Sequence, residues 1–489
     1  MTPVISKSKY LSGLQCQKLL WYHYNRPDEI PAPDAATQAI FAVGHEVGEL
    51  AQSLFPGGVA IQWDRDAEKM IEPTKKLLAE RKPIFEAAVK YGNAYAIADI
   101  LAPVNNNSWD LIEVKSSTTV KDINLPDVAI QRYVCQNFGI KLNKLFLMHI
   151  NNQYIRQGDI EPEKLFTKED ITEQTQELVL QVEPNLEKMV KIIQAKECPD
   201  IKIGPHCSNP YECPLKEMCW AFLPESNIFS LYRGKILGFE LLQQKVQKLT
   251  DIPPGTTLSS SQSIQVKCAK TNKPHIDKKG ISKFLSTLQY PLYFLDFETV
   301  ASAIPFYDGT RPYQNIPFQF SLHILEKAGG KPEHNSFLAE GKADPRPEIL
   351  KELKSLLGNG GSIIAYNSGF ETACLEGCTE SYLQYSEWVA QIKLRIIDLL
   401  GPFKSFYYYH PEQDGSASLK SVLPALTGKG YEGMEIADGG TASREYARVT
   451  FGDVSEEERQ KVRKHLVEYC GQDTEGMIWI VEDLKKLIS

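Results

Sequence analysis

The 489-residue sequence contains no apolar run long enough to cross a lipid bilayer. Its opening residues also lack the apolar core of a signal peptide, so we expect a cytoplasmic protein with no membrane partner. In that compartment most of its 10 cysteines would stay reduced. The formal net charge of -8 neither supports nor excludes a polyanionic substrate, because metal-holding carboxylates contribute to that total and a basic groove can coexist with it.

The sequence also lacks an internal repeat, so its two halves look unrelated. At about 150 residues per domain its length suggests roughly two or three domains. Strand patterns that alternate with helix patterns are typical of an α/β fold. We therefore expect an N-terminal domain over residues 1–225, a connector with some structure over 226–287 and a C-terminal domain over 288–489.

Acidic residues mark both arms of a hairpin in the N-terminal half. The sequence predicts strands at Ala94–Ala102 and Trp109–Val114 around a turn at Asn105–Ser108. Glu113 and Lys115 share one strand face, and the hairpin can bring Asp99 beside them. Two carboxylates there could hold Mg²⁺ or Mn²⁺, while the lysine orients a water molecule or stabilises developing charge. The alternative is a surface strand with alternating charges.

Four cysteines enclose this hairpin in the sequence, with Cys16 near the N-terminus and Cys207, Cys213 and Cys219 far downstream. Thiolates so distant in sequence can meet only in a folded domain, where a shared cofactor would fasten its two ends. The remote fourth ligand favours an iron-sulfur cluster, whereas structural zinc and buried free thiols are the alternatives. The other six cysteines are expected to be packed thiols.

Together with Gly44-His45-Glu46-Val47-Gly48-Glu49 on a predicted helix, these motifs resemble the PD-(D/E)xK nucleases of the RecB-like branch. They are similar to its iron-sulfur members, which include CRISPR-associated exonucleases and the AddB helicase-nuclease subunit. The resemblance covers about residues 8–222 and implies a restriction-endonuclease-like domain. It implies the following site: His45, Asp99, Glu113 and the Val114 carbonyl as metal ligands, Lys115 as catalytic residue, and Cys16, Cys207, Cys213 and Cys219 on a [4Fe-4S] cluster.

The chain departs from this family in two places. Five residues separate Cys207 from Cys213, whereas the relatives have a tighter first pair. The Gln-x-x-x-Tyr motif expected after the lysine is represented by Gln131, with Cys135 where the tyrosine should fall and Tyr133 as a substitute. Gln131 is retained as a catalytic-site residue by this resemblance.

A second set of carboxylates follows in the C-terminal half. Asp296 and Glu298 share a face of the predicted strand Leu292–Val300, Glu371 begins a helix after another strand, and Tyr469 and Asp473 lie four apart on the last helix. The set resembles DEDD exonucleases of the Tyr-x-x-x-Asp subclass over about residues 288–485. This resemblance implies a ribonuclease-H-like domain in which the four carboxylates hold two Mg²⁺ or Mn²⁺ ions and Tyr469 helps to position the attacking water. Glu371 departs from the aspartate usual in the family.

These patterns predict a metal-dependent DNA exonuclease with two separate active sites, acting on single strands or duplex ends. RNA remains an alternative substrate, because nothing in the sequence reads a 2′-hydroxyl. A binding or assembly factor with one or both sites inactive is the other alternative, and no pattern indicates a protein partner. The aromatic run from Phe403 to Tyr409 could stack on unpaired bases or pack in the core.

Overall fold

The chain folds into two units, each of mixed α/β structure. The computed structural model describes residues 3–105 and 107–489. One unit comprises the chain up to Phe222 together with Ser302–Tyr313, and the other comprises Leu223–Ala301 and Gln314–Ser489. The segment 302–313 thus belongs to the first unit, and the residues expected to be a connector, 226–287, belong to the second. None of the described helices combines the length and the apolar character that a membrane-spanning helix needs.

The first unit is built on one mixed sheet flanked by helices. Its strands are β1 (Ile5–Ser6), β2 (Val59–Ala60), β3 (Ile84–Tyr91), β4 (Ala94–Pro103), β5 (Trp109–Lys115), β6 (Leu142–Ile150) and β7 (Phe166–Asp170). Its helices are α1 (Lys7–Gln15), α2 (Gln17–Asn25), α3 (Ala35–Gln52), α4 (Ala67–Glu80), α5 (Asn124–Phe138), α6 (Pro162–Leu165), α7 (Gln176–Ile193) and α8 (Lys216–Trp220).

The strand order among the described residues is β2-β3-β4-β5-β6-β7, with β1 paired to β4. Strands β4 and β5 are antiparallel, with Ile100 opposite Ile112, and β6 joins β5 in parallel. The predicted hairpin is therefore present at the centre of the sheet. Within its expected turn, Asn105–Ser108, Asn106 lies outside the described residues.

One segment of this unit differs from the structure that its local sequence predicts. The pattern at Thr167 and Asp170 is typical of a helix start, but these residues lie in β7, which pairs antiparallel with β6. The long helix begins later, as α7, and continues through Pro184 without a break. Backbone pairing with a neighbouring strand outweighs the local capping signal at Thr167.

The second unit contains a five-stranded sheet and a small two-stranded one among its described residues. Its strands are β8 (His275–Ile276), β9 (Leu292–Val300), β10 (Ile316–Leu325), β11 (Glu333–Leu338), β12 (Ser362–Ala365), β13 (Ile396–Asp398) and β14 (Tyr408–Tyr409). Its helices are α9 (Lys235–Gln243), α10 (Ser260–Thr271), α11 (Lys278–Leu285), α12 (Arg346–Leu356), α13 (Gly369–Thr379), α14 (Ser386–Lys393), α15 (Gly401–Lys404), α16 (Leu419–Thr427), α17 (Gly439–Phe451) and α18 (Glu456–Ile488).

The larger sheet has the order β11-β10-β9-β12-β13. Strand β10 is antiparallel to both of its neighbours, β9 and β11, whereas β12 pairs in parallel with β9 and β13 pairs in parallel with β12. Apolar residues of β9 face cores on both sides of the sheet, with Tyr293 and Leu295 in one and Leu292 and Phe294 in the other. Strand β9 is therefore fixed on both faces, and its last residues carry the second set of acids.

Candidate functional sites

Three carboxylates of the second unit converge at the end of β9. Asp296 and Glu298 come from β9, and Asp473 comes from α18, which packs against this strand. One carboxylate oxygen from each lies within 4.8 Å of the others; Glu298 and Asp473 are buried, and Asp296 is partly buried. Among the described residues no other set of three or more His, Cys, Asp or Glu side chains meets this distance. The structure thus brings together residues nearly 180 positions apart in sequence.

Burial sets the protonation of this cluster. It raises the pKa of Asp296 well above its usual value, and Asp473, Glu298 and Glu371 raise it further. Burial and Asp473 raise the pKa of Glu298 to about 8. Burial also raises the pKa of Asp473 to about 6, against hydrogen bonds from Tyr431 and Tyr469 that favour its charged form. Close carboxylates with such pKa values need protons or cations to balance them.

Glu371, the fourth predicted acid, lies on the first turn of α13 and outside the group of three carboxylates within 4.8 Å. Burial raises its pKa to about 8, and its charge contributes to the raised pKa values of Asp296 and Glu298. Its Oε2 atom is buried and has no hydrogen-bond partner among the described residues. A buried carboxylate oxygen without a donor is costly, and a bound cation would satisfy it.

Two residues near Asp473 were not predicted from the sequence. Tyr431, from the loop after α16, donates its hydroxyl hydrogen bond to Asp473 Oδ1. Lys420 on α16 places its Nζ 5.3 Å from the centroid of the Tyr469 ring, and its charge lowers the pKa values of Glu298 and Asp473. Neither residue belongs to a spaced motif, so only the fold reveals them.

Other polar and aromatic residues of this unit have structural contacts. Asp398 Oδ1 accepts backbone hydrogen bonds from Asn367 at 2.9 Å and Leu400 at 3.0 Å, as a strand-end cap does. Cys470 is buried, and its Sγ lies 3.4 Å from Asp296 Oδ2. The aromatic run packs in the core, with four of its members almost fully buried: Phe403, Phe406, Tyr408 and Tyr409. The base-stacking alternative for those four residues is therefore wrong.

The β4–β5 hairpin carries the acidic site of the first unit. The Val114 amide donates to Asp99 Oδ2 at 2.8 Å, which ties the two arms together. Lys115 Nζ lies 2.5 Å from Glu113 Oε1, and Gln131 Nε2 donates to Glu113 Oε2 at 2.7 Å. The structure therefore brings together Asp99, Glu113, Val114, Lys115 and Gln131.

The charges of this site are strongly coupled. Burial and the Glu113 carboxylate raise the pKa of Asp99 to about 7. Burial alone would raise the pKa of Glu113, but Lys115 and Lys7 hold it well below its usual range. Burial alone would lower the pKa of Lys115, but Glu113 and Asp127 hold it above its usual value. Asp99 is therefore the more readily protonated of the two carboxyl groups, and Glu113 is the more readily ionised.

His45, in contrast, is exposed on α3. Its ring is near enough to Glu86 to affect the charge of that side chain, but it does not form a group within 4.8 Å with Asp99 and Glu113 among the described residues. Tyr133 packs edge-on against Tyr91, with ring centroids 5.9 Å apart, and Cys135 is buried. His45 and Tyr133 thus remain outside the hydrogen-bonded network around Glu113.

Three residues of the first site were missed by the sequence prediction. Lys7 and Asp127 contact the network, since Lys7 Nζ lies 2.9 Å from Glu113 Oε1 and Lys115 Nζ lies 2.8 Å from Asp127 Oδ2. Glu86 has a φ of +55° within the otherwise extended strand β3. Such a backbone conformation in a non-glycine residue often marks a functional site. Asp127 lies four residues before Gln131, one helical turn away, and this spacing is the one available sequence signal.

The four predicted cysteines lie near one another in the first unit. Burial and the nearby Cys16, Cys207 and Cys219 thiols raise the pKa of Cys213 to about 11. Their surroundings are apolar, including Leu19, Trp21 and Leu215. Cys198, expected to be a packed thiol, is close enough to Cys16 and Cys219 for these thiols to raise its pKa. The structure therefore gathers the four thiols with a fifth nearby.

Comparison with known proteins gives two matches. Residues 293–418 match the family described as "Domain of unknown function (DUF2779)", a stretch that includes Asp296, Glu298 and Glu371 but ends before Asp473. The chain is 24% identical over 239 residues to the "Uncharacterized protein MG366 homolog" of Mycoplasma pneumoniae, and the match covers 44% of this chain. The chain spans 36% of the length of that relative.

Proposed function

We propose that this protein is a metal-dependent nuclease that hydrolyses DNA phosphodiester bonds, with a separate active site in each unit. The observation that carries the proposal is the convergence of Asp296, Glu298 and Asp473 within 4.8 Å. A nearby buried oxygen of Glu371 without a donor supports it. This oxygen-only donor set suits Mg²⁺ or Mn²⁺, which bind carboxylates in preference to nitrogen or sulfur ligands.

In the second unit Asp296, Glu298, Glu371 and Asp473 would hold two divalent cations. Such a pair supplies an activated water nucleophile and neutralises charge on the phosphate. Tyr431 and Tyr469 donate hydrogen bonds to Asp473, and these bonds fix the orientation of its carboxylate. Lys420 places a positive charge beside Tyr469, where it would attract a phosphodiester backbone.

In the first unit Asp99, Glu113 and the Val114 carbonyl would hold a divalent cation of the same kind. The resemblance implies His45 as a further ligand, but in this structure His45 does not lie within 4.8 Å of both carboxylates. Gln131 donates to Glu113 Oε2 and fixes one carboxylate oxygen. Lys115, already at the edge of this network, would stabilise negative charge that develops on the phosphate.

For the four cysteines we propose an iron-sulfur cluster rather than a zinc ion. A tetrahedral zinc site with Zn–S bonds of about 2.3 Å brings its thiolates to about 3.8 Å from one another. Among the described residues no three cysteine sulfurs lie within 4.8 Å of one another, which supports a group larger than one zinc ion. We propose a [4Fe-4S] cluster on Cys16, Cys207, Cys213 and Cys219, which would fasten the ends of the unit.

The direct test is cleavage of end-labelled single- and double-stranded DNA by the purified full chain. We expect degradation with Mg²⁺ or Mn²⁺ and none with a chelator. In a Lys115→Ala background, Asp473→Asn should abolish the remaining activity, because it removes a central carboxylate. The matched control Asp483→Asn, in an exposed ion pair further along α18, should not change it. Cleavage of labelled RNA alone would refute the DNA assignment, and binding without any cleavage would refute the enzyme.

A further inference from the structure

Lys7 brings a second ammonium group into the acidic site of the first unit. Its Nζ lies 2.9 Å from Glu113 Oε1 and 3.2 Å from Glu113 Oε2, and 3.4 Å from Asp127 Oδ1. Its side chain is only 22% exposed. Because both oxygens of Glu113 contact the same ammonium group, Lys7 restricts the rotation of this carboxylate.

Lys7 is held in place by the residues just before it. The Ile5 amide donates to the Asn93 carbonyl at 2.7 Å, and β1 pairs in parallel with β4, the strand that carries Asp99. Ser6 caps α1 by accepting a hydrogen bond from the Lys9 amide. Helix α1 therefore begins at the edge of the acidic site.

The other end of α1 lies at the cysteines. The helix is nine residues long and Cys16 follows its last residue as the C-cap, so Lys7 and Cys16 are separated by about 13 Å along the helix axis. Gln15 Nε2 donates to the His206 carbonyl at 2.8 Å and to the Tyr211 carbonyl at 2.7 Å. These two bonds attach the helix to the segment that carries Cys207.

The middle of α1 packs tightly against α7. A Cβ atom at Gly13 would lie 2.7 Å from Met189 Cε, so the two helices approach closely at this glycine. Tyr10 is buried and accepts a hydrogen bond from Asn185 at 3.2 Å. A short helix held at both ends and packed along its length transmits a displacement of one end to the other, because packed interiors deform little.

We propose that Lys7 is a positioning residue of the first acidic site, and that helix α1 holds it there from the cysteine cluster. Lys7 fixes the Glu113 carboxylate, and the attachment of Gln15 and Cys16 to the cysteine segment fixes Lys7. The inference rests on the proposed nuclease function of this site. It adds that a disturbance at the cysteines reaches the site through one side chain.

The test is a double-mutant cycle in the full chain, in an Asp296→Ala background so that the second site is silent. Lys7→Met should lower kcat for Mn²⁺-dependent DNA cleavage by about 10–100-fold, because removal of a residue that holds a metal-binding carboxylate typically costs this much activity. The KM for DNA should be unchanged. Lys7→Arg should restore part of the loss. Gln15→Ala keeps all four thiols. It should lower kcat when Lys7 is present but should cause no further loss in the Lys7→Met variant. The matched controls are Lys9→Met and Gln17→Ala.

Mn²⁺ affinity, followed by the electron paramagnetic resonance of free Mn²⁺, gives a readout that does not depend on cleavage. Lys7→Met and Gln15→Ala should each change this affinity, and the double variant should match Lys7→Met alone. Native kcat and Mn²⁺ affinity in Lys7→Met, or losses that multiply in the double variant, would overturn the inference. Absence of cleavage in the parent chain would instead refute the proposed function, while the affinity cycle would still test the coupling.

Discussion

Some contacts of individual side chains can be predicted from the sequence, and others cannot. Asp296 and Glu298 could be paired in advance, because a period of two on a strand puts both on one face. The contacts of Tyr431 with Asp473 and of Lys7 with Glu113 could not be predicted. In each pair the two residues lie on different elements, at no regular spacing in the sequence. Contacts of this kind depend on packing between elements, which local patterns do not encode.

The single residue His323 gives a prediction about how stability depends on pH. Burial and the stacked His334 ring together lower its pKa to about 4. The folded state therefore binds fewer protons than the unfolded state between about pH 4 and pH 6.5. Its contribution to stability is present above pH 6.5 and is lost as the pH falls through this window.

We expect His323→Gln to flatten the loss of unfolding free energy between pH 6.5 and pH 4.5, as measured by urea denaturation. The glutamine can still hydrogen-bond to Thr474, the partner of His323 Nδ1. His465→Gln, at a half-buried histidine on α18, serves as the control. An unchanged slope in His323→Gln would contradict the assigned protonation.

Among whole elements, hydrophobic periodicity predicted the central strands well. Strand β9 has the bounds expected from its apolar run. The prediction failed at β7, where local capping chemistry resembled a helix start but a long-range pairing with β6 decided the structure. Phe41 of α3 is an apolar residue, yet its side chain is 54% exposed.

The turn before strand β12 gives a prediction about stability at the level of a structural element. Gly361 has a φ of +84°, and a Cβ atom there would lie 2.1 Å from the Pro291 carbonyl oxygen. Gly361→Ala should therefore lower the free energy of unfolding by about 3 kcal/mol through strain and overlap. Gly360→Ala is a matched control, because its Cβ would meet no atom within 4 Å. Equal denaturation midpoints for the two variants would show that the turn is not constrained as described.

Considered as a whole molecule, the chain carries two acidic sites with different chemistry around them. The first surrounds Glu113 with the ammonium groups of Lys7 and Lys115, whereas the second concentrates carboxylates whose pKa values are raised by burial. Each site is formed by residues of one unit. Mutations in one should therefore leave the chemistry of the other intact.

The most direct test of the two-site account compares Lys115→Ala, Asp296→Ala and the double variant in one Mn²⁺-dependent DNA cleavage assay. The account predicts that each single variant loses a different part of the activity and that the double variant loses all of it. Full native activity in both single variants would contradict the central claim.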